Sequence, residues 1–409
     1  MKRYYIWTIG CQMNESESED YEAAAQSFGY MKTSDPFEAD LVIINTCMVR
    51  QSAEDKAVNK LQNMKPIKQK NKDAKIILTG CMASLGDKEE LKKKFPYVDE
   101  FMAPGEIPEW LKNNEKRILP SPICNFIPIQ QGCDNFCSYC IVPYTRGREK
   151  SFAPEYIERK ARELVDLGAK EITLLGQNVD SYGRDLDTDI TDVLKRLNDI
   201  DGLLRIRFLT NHPKDMNRKV MEAVASLPKV CENINLPIQS GSNAILKAMN
   251  RHYTVEYYLE LVDMMREIIP NVSLVTDMIV GFPGETEEQF METIDVIKKV
   301  RFDAIHIAAY SERTGTYASK HLKDDIPEEE KDRRLHMVED VQGKILAEIN
   351  QKFVGAETEV LFEGIKNGKW QGRNRNDKLV FTESESDLSG KIMNVKIDRA
   401  TAWSLHGTV

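Results

Sequence analysis

A chain of 409 residues exceeds one ordinary hydrophobic core and divides into two or three domains. Its formal net charge of -9 excludes a surface that is basic throughout, so any nucleic-acid contact must be local. The opening MKRYYIWTIG holds no export-signal core, and no apolar run approaches the ~20 residues needed to span a bilayer, which predicts a cytoplasmic protein with no membrane partner.

Residues 1–118 alternate the apolar runs YYIWTIG, LVIINT and KIILTG with charged helical stretches, the pattern of parallel βαβ units. Each run ends in a cysteine: Cys11 in IGCQMNE, Cys47 in NTCMVR and Cys81 in TGCMA. Ligands of open α/β sheets gather at the carboxyl ends of the strands. Three thiols so placed can converge, which points to a metal site rather than three unrelated core cysteines.

From 119 to 350 the alternation resumes at a longer period, with strand-like runs FIPIQQG, EITLLG, LRIRFLT, INLPIQ, VSLVTDMIVG and AIHIAAY. Closing a TIM barrel takes eight strands. Six predict a (β/α)6 partial barrel, open along one side, with a long charged helix from Pro327 to Gln351 closing the unit. Directly after the first of these strands comes GCDNFCSYC, carrying Cys133, Cys137 and Cys140. From residue 351 to 409 the short runs ETEVLFEG, GKWQGRN, KLVFTES, KIMNVKID and TAWSLHG predict a small β-barrel of oligonucleotide-binding or SH3-like style. The fold class is therefore multidomain α/β, with a parallel sheet domain, a partial barrel and a small C-terminal β-barrel.

Eight cysteines without an export signal fit metal ligation better than disulfides. Cys124 and Cys231 stand in no pattern and read as small buried hydrophobes. Structural zinc takes four ligands, usually in paired C-x2-C arrangements, and no second pair or His pair follows Cys140 at suitable spacing. A four-iron cluster held by three thiolates instead leaves one iron open to an exogenous ligand.

The C-x3-C-x2-C run on a six-stranded partial barrel resembles the radical S-adenosylmethionine (SAM) superfamily. With IGCQMNESESE, NTCMVRQSAEDK, TGCMAS, GCDNFCSYCIVPYTRGREKS, LLGQNVDSYG, RFLTNHPKD, NLPIQSGSN, MNRHYT and DMIVGFPGET, essentially the whole chain resembles the methylthiotransferases that modify tRNA, and its tail resembles the TRAM domain. The resemblance implies a 4Fe-4S cluster on Cys133, Cys137 and Cys140 that cleaves SAM to a 5′-deoxyadenosyl radical. It also implies an auxiliary 4Fe-4S cluster on Cys11, Cys47 and Cys81 that carries the sulfur to be inserted. One SAM donates a methyl group, a second is the radical source, and methylthio replaces hydrogen at C2 of an adenine. The implied partners are a tRNA anticodon stem-loop, an electron donor such as a flavodoxin or ferredoxin, and an iron-sulfur carrier protein, acting on a monomer. YTRGREKS and NTCMVRQSAEDK resemble the branch that uses N6-isopentenyl-adenosine at position 37 of tRNA. The N6-threonylcarbamoyl-adenosine branch is next, and the branch acting on a ribosomal-protein aspartate third. Asn235, where His is common, and Ser311 to Thr316, where prolines are usual, depart from the pattern and bear on local substrate contacts. An iron-sulfur RNA-binding sensor without turnover, which would not need an incomplete three-thiolate site, is the alternative from another class.

Further residues have both a ligand and a structural reading. Gly176, Gln177 and Asn178, after EITLLG, occupy the place where radical SAM enzymes often contact the amino group of SAM, or form a tight turn. Ser240 and Ser242 contact SAM or cap a helix. Gly281, with Pro283 and Gly284, shapes a turn and lines the adenine pocket, with Thr286 capping the next helix. Arg205 and Arg207 share one strand face and point either into a polar lumen, at cofactor and RNA respectively, or into structural ion pairs. Arg146, Arg148 and Lys150 are placed to meet RNA phosphates. In the tail, Lys366, Lys369, Trp370, Arg373 and Arg375 combine cations with an aromatic, as RNA binders do, unless Trp370 belongs to the small barrel's core.

Overall fold

The structure, a computed structural model, describes residues 1–85, 88–112 and 122–409; the expected boundary near residue 118 lies outside them. The first domain is a five-stranded parallel sheet of β1 (Arg3–Thr8), β2 (Met31–Lys32), β3 (Leu41–Thr46), β4 (Lys75–Gly80) and β5 (Glu100–Phe101), in the order β2-β1-β3-β4-β5. All six residues of β3 are buried, as expected of an apolar central strand covered on both faces. After β1 the chain leaves through the helix α1 (Gln12–Ser27) to one side of the sheet, and after β2 it returns to the other. The gap beyond the ends of β1 and β3 is thus the topological switch point, where such sheets bind ligands.

The second domain is an arc of six parallel strands: β6 (Cys124–Pro128), β9 (Glu171–Leu175), β10 (Arg205–Phe208), β11 (Asn233–Asn235), β12 (Ser273–Val280) and β13 (Ala304–Ala309). A bridge between Ile206 and Val230 joins the two three-stranded halves. The edges β6 and β13 stay unpaired with each other, so the barrel is open between them. The predicted strand INLPIQ is shorter than expected because Pro237 has no N–H to give the ladder, and Ile238 donates to the Thr276 hydroxyl instead. Between β6 and β9 the short ribbon β7 (Gln130–Gln131) and β8 (Lys150–Ser151) closes the Cys133–Cys140 loop at its base. The helix Glu328–Gln351 follows Pro327 as expected, and Thr286 caps the helix Glu287–Val300 in a full capping box.

The tail is a closed barrel of β14 (Glu357–Lys366), β15 (Lys369–Asn374), β16 (Leu379–Thr382), β17 (Ile392–Ala400) and β18 (Leu405–Thr408), in the order β14-β15-β16-β18-β17. It docks under the amino ends of the central strands. Arg205 opens β10 and donates to the Arg373 carbonyl (2.6 Å) and to Glu359 Oε1 (2.9 Å). Arg207 pairs with Glu171 (3.0 Å) and donates to the Asn374 carbonyl (2.7 Å). Arg375 grips Glu232 with two bonds of 2.7 Å, and Lys378 pairs with Asp303 (2.9 Å). The small barrel and the loop that carries Cys133, Cys137 and Cys140 therefore sit at opposite ends of the central strands.

Candidate active site

Three adjacent strand ends bring Cys11, Cys47 and Cys81 to the switch point. Cys11 immediately precedes α1, and Cys81 opens the helix Cys81–Leu85. The residue before each of these two cysteines is a glycine packed against the strand end that carries Cys47. A Cβ on Gly10 would lie 2.9 Å from the Cys47 Cβ, and one on Gly80 only 2.2 Å from the Thr46 carbonyl oxygen. Beneath the thiols a buried polar lattice locks the strand ends. Asn14 donates to Asn45 Oδ1 (2.8 Å) and the Thr46 carbonyl (3.1 Å), Asn45 donates back to the Asn14 carbonyl (2.9 Å), and Thr46 donates to the Thr79 carbonyl (2.7 Å). Cys47 and Cys81 are buried while Cys11 is exposed, so the site opens on one side. Burial pushes the Cys47 thiol up to about 11, with the charges of Cys81 and Cys11 acting in the same direction.

Cys133, Cys137 and Cys140 lie on the loop that leaves edge strand β6. The Cys133 N–H donates to the Gly147 carbonyl, and that of Cys140 to the Cys137 carbonyl. Arg251, itself buried, donates through Nη1 to Cys137 Sγ (3.2 Å) and is fixed by Tyr253 Oη (2.9 Å) and the Pro237 carbonyl (3.0 Å). Its charge faces the thiols directly. Burial again holds the Cys133 thiol up, at about 11.

Two further arginines of the central domain reach the first thiol set. Arg146, 3% exposed, forms a 2.6 Å pair with Glu17 of α1, and its charge favours ionised Cys11 against the burial that holds that thiol up. Arg313, 5% exposed, donates to Glu54 (3.0 Å) and Gln51 (3.2 Å) of the helix Gln51–Gln62, with Cys47 among the charges it feels. Through these two pairs the segments that follow Cys140 and β13 meet the domain that carries the first thiol set.

Among the described residues no three His, Cys, Asp or Glu side chains gather around a single metal ion. In a cube each thiolate ligates its own iron, so the ligands stand further apart than around one ion. The donor chemistry fits a cube at the barrel loop: three free thiols, no fourth protein ligand, and a buried cation against the sulfur. The neighbouring lumen fits a polar cofactor. Gln130 Oε1, Asn178 Oδ1, Asn211 Oδ1 and His212 Nε2 are buried there without a hydrogen-bond partner. His212 Nδ1 accepts from the Lys214 N–H (3.2 Å), which places the ring proton on Nε2 as an unused donor. Burial, with Arg251 and Lys214 nearby, lowers that imidazole to about 2 and keeps it neutral.

The expected cofactor and RNA residues divide by position. Gln177 braces the cluster loop by accepting the Gly132 N–H (2.7 Å), and Asn178 donates to Asp215 (2.7 Å) while its oxygen stays free. Gly176 packs against Gln130 and Val179. Ser240 accepts the Ser242 N–H (3.2 Å), and Ser242 precedes the helix Asn243–Ala248 without a side-chain capping bond. Gly281 faces away from the lumen: a Cβ there would meet Lys331 of the Glu328–Gln351 helix, so close helix approach explains it. Arg205 and Arg207 are corrections, because strand β10 begins at the barrel's far end and both side chains are consumed in ion pairs and carbonyl contacts with the tail. Arg375 belongs to that same interface. Arg146 is also corrected, since its guanidinium is buried against Glu17. Trp370 lies in the small barrel's core and donates to the Ser384 carbonyl (3.3 Å). Arg148, Lys150, Lys366 and Lys369 remain exposed, and Arg373 partly so. Sequence reading missed Asn14, Asn45, His212 and Arg251 as site residues, although each falls within or beside a quoted motif.

Comparison with known proteins agrees with this architecture. Family models match at residues 127–297 (radical SAM superfamily), 3–103 (the uncharacterized protein family UPF0004) and 351–409 (TRAM domain). A tRNA-2-methylthio-N(6)-dimethylallyladenosine synthase of Dehalococcoides mccartyi strain 195 is 49% identical over 409 residues, covering 99% of this chain and 98% of that protein. The chain belongs to this synthase family. Other members of it from Herpetosiphon aurantiacus and Clostridium botulinum (strain Loch Maree) are 44% and 45% identical, covering 100% and 99% of this chain and 97% and 96% of theirs. Among solved structures, the radical SAM methyltransferase TsrM from Kitasatospora setae aligns at TM-score 0.50 and 14% identity over 75% of this chain and 73% of its own. The cobalamin-dependent SAM radical enzyme OxsB aligns at 0.51 and 12% over 83% and 56%. These two share the fold. Membership of the radical SAM superfamily implies a 4Fe-4S cluster and SAM.

Proposed function

We propose that this chain methylthiolates C2 of N6-isopentenyl-adenosine at position 37 of tRNA, with a second, auxiliary 4Fe-4S cluster on Cys11, Cys47 and Cys81. One observation carries the reading: two incomplete sets of three thiols lie on adjoining domains joined by Arg146–Glu17 and Arg313–Glu54. Printed names of relatives that match nearly full-length, as tRNA-2-methylthio-N(6)-dimethylallyladenosine synthases, support the substrate. When bound, the barrel-loop cluster with SAM supplies a 5′-deoxyadenosyl radical, and the auxiliary cluster supplies sulfur.

The chain's own groups bind, orient and exclude water. Arg251 balances thiolate charge at the first site, and Arg146 and Arg313 do so at the second. His212 Nε2–H offers a donor, and the Gln130, Asn178 and Asn211 oxygens offer acceptors, to the amino acid or ribose of SAM. Asp180 orients this set by accepting from Asn211 Nδ2 (2.7 Å) and the His212 N–H (2.8 Å). Exposed Arg148, Lys150, Lys366, Lys369 and Arg373 meet RNA phosphates, and the target base leaves its stack to reach the clusters. We assign domain limits of 1–118, 119–350 and 351–409, and infer a cytoplasmic monomer served by a flavodoxin- or ferredoxin-type donor and an iron-sulfur carrier. No helix among the described residues is long and apolar enough to cross a membrane.

Nucleoside mass spectrometry of tRNA from cells with and without the gene tests the reading. Loss of 2-methylthio-N6-isopentenyl-adenosine supports it; an unchanged tRNA pool overturns it. Release of 5′-deoxyadenosine from SAM under dithionite separates an enzyme from a sensor.

A further inference from the structure

Three solvent-facing aromatic rings lie on the two loops that leave the barrel's free edges, on the same side as the Cys133–Cys140 thiols. Phe136 (40% exposed) and Tyr144 (48%) lie on the loop after β6, and Tyr317 (55%) lies on the loop after β13. The loops meet where the Ala318 N–H donates to the Ser138 carbonyl (2.8 Å), across the opening of the arc. Phe136 and Tyr144 form one chain of contacts with cations from both loops. Arg148 stands over Phe136 at 5.4 Å, Phe136 meets Tyr144 edge to face at 6.4 Å, and Lys320 stands over Tyr144 at 6.0 Å. Tyr317 and His321 lie 4.4 Å apart on the same short helix as Lys320.

Nothing in the thiol chemistry requires these rings to face water. Phe136 is held outward by a backbone of φ +45°, a conformation that bulky residues seldom adopt, and Asn250 pins it by donating to its carbonyl (3.0 Å). An exposed aromatic in a disfavoured backbone, between two ligand cysteines, points to a binding role rather than to packing. Each ring keeps 40–55% of its surface in solvent, and the flanking Lys320 complements phosphates in a chain of net charge -9, while Arg148, held by Asp134, can exchange that carboxylate for a phosphate. Flat faces with interleaved cations are what unpaired nucleotides recognise, since every base offers a π-face and a phosphate.

We propose that Phe136, Tyr144 and Tyr317, with Arg148 and Lys320, form a stacking platform for unpaired nucleotides beside the target base of an RNA loop. This rests on the tRNA reading above. The platform holds the neighbours of the extruded base and so fixes the loop beside Cys133, Cys137 and Cys140, between two of which Phe136 lies. It recognises single-stranded character, not sequence, and sits far from the cations of the small barrel.

The test uses cluster-loaded, full-length protein and fluorescence anisotropy with two RNAs: an anticodon stem-loop carrying N6-isopentenyl-adenosine, and the same stem closed as a blunt duplex. Tyr144→Ala and Tyr317→Ala are each expected to weaken stem-loop binding about 5- to 100-fold while leaving duplex binding within about twofold. Tyr144→Phe, which keeps the ring, should bind like the parent. Iron content and the visible absorbance of the clusters, measured on every variant, separate loss of stacking from loss of the loop. Equal stem-loop affinity in the Tyr144→Ala/Tyr317→Ala double variant and the parent overturns the platform. So does an unchanged affinity accompanied by slower reduction by a flavodoxin, which would give the surface to a protein partner. If the parent itself fails to prefer the stem-loop over the duplex, the tRNA reading fails instead.

Discussion

Replacing Gly80 with alanine perturbs the auxiliary site at one atom. Gly80 has φ +87°, and the added Cβ would stand 2.2 Å from the Thr46 carbonyl oxygen and 2.7 Å from its nitrogen. Both are backbone atoms of the strand end that carries Cys47, so no side-chain rotation relieves the clash. Left-handed backbone at a non-glycine residue costs about 1–2 kcal/mol. Overpacking that moves backbone costs about 1–3 kcal/mol more. The expected loss is about 2–5 kcal/mol, concentrated where β3 and β4 end. Gly29→Ala is the matched control, for Gly29 also has φ +87° but its Cβ would meet nothing within 4 Å. It should lose only the backbone part. Urea unfolding of the metal-free proteins reads the stability difference, and iron analysis after anaerobic reconstitution reads the site. Gly80→Ala should fall from about eight to about four irons per chain, keeping the barrel-loop cluster, while Gly29→Ala keeps both. Equal unfolding midpoints and full iron in both variants would refute the claim that close strand approach builds the thiol set.

Arg146→Met leaves Glu17 buried without its partner, and the side chains are only 3% and 8% exposed, so a loss of about 3–5 kcal/mol is expected. Adding Glu17→Gln should recover part of it in a double-mutant cycle; strict additivity would mean the pair couples nothing. His212 is neutral when folded and takes a proton near pH 6.5 when unfolded, so its contribution is present above that pH and is lost as pH falls. Below pH 6.5 the parent should lose about 1.4 kcal/mol per pH unit relative to His212→Gln, measured by unfolding at pH 5 and 7; parallel profiles would contradict a neutral buried ring. Arg207→Met strips the Glu171 pair and the carbonyl contacts that dock the tail. It should release a tail fragment in limited proteolysis without lowering iron content, and an unchanged digestion pattern would reassign the interface.

Local patterning carried much of this architecture. The apolar start of LVIINT fits a strand covered on both faces, six strand-like runs could not close an eight-stranded barrel, and three cysteines at strand ends could converge because parallel topology sends those ends to one edge. The thiol sets are legible because covalent spacing and strand alternation act over a few residues. The arginines are not. Arg205 and Arg207 share a face, as alternation requires, yet alternation does not say which end of the barrel that face meets, and docking of tail residues 167 and 168 positions later consumed them. Arg146 reads as a phosphate contact within its own loop, and becomes a buried partner only because Glu17 arrives from another domain. Charge placement depends on which desolvated partner folding brings near, and that is a property of tertiary packing, whereas strand period and ligand spacing belong to the chain itself.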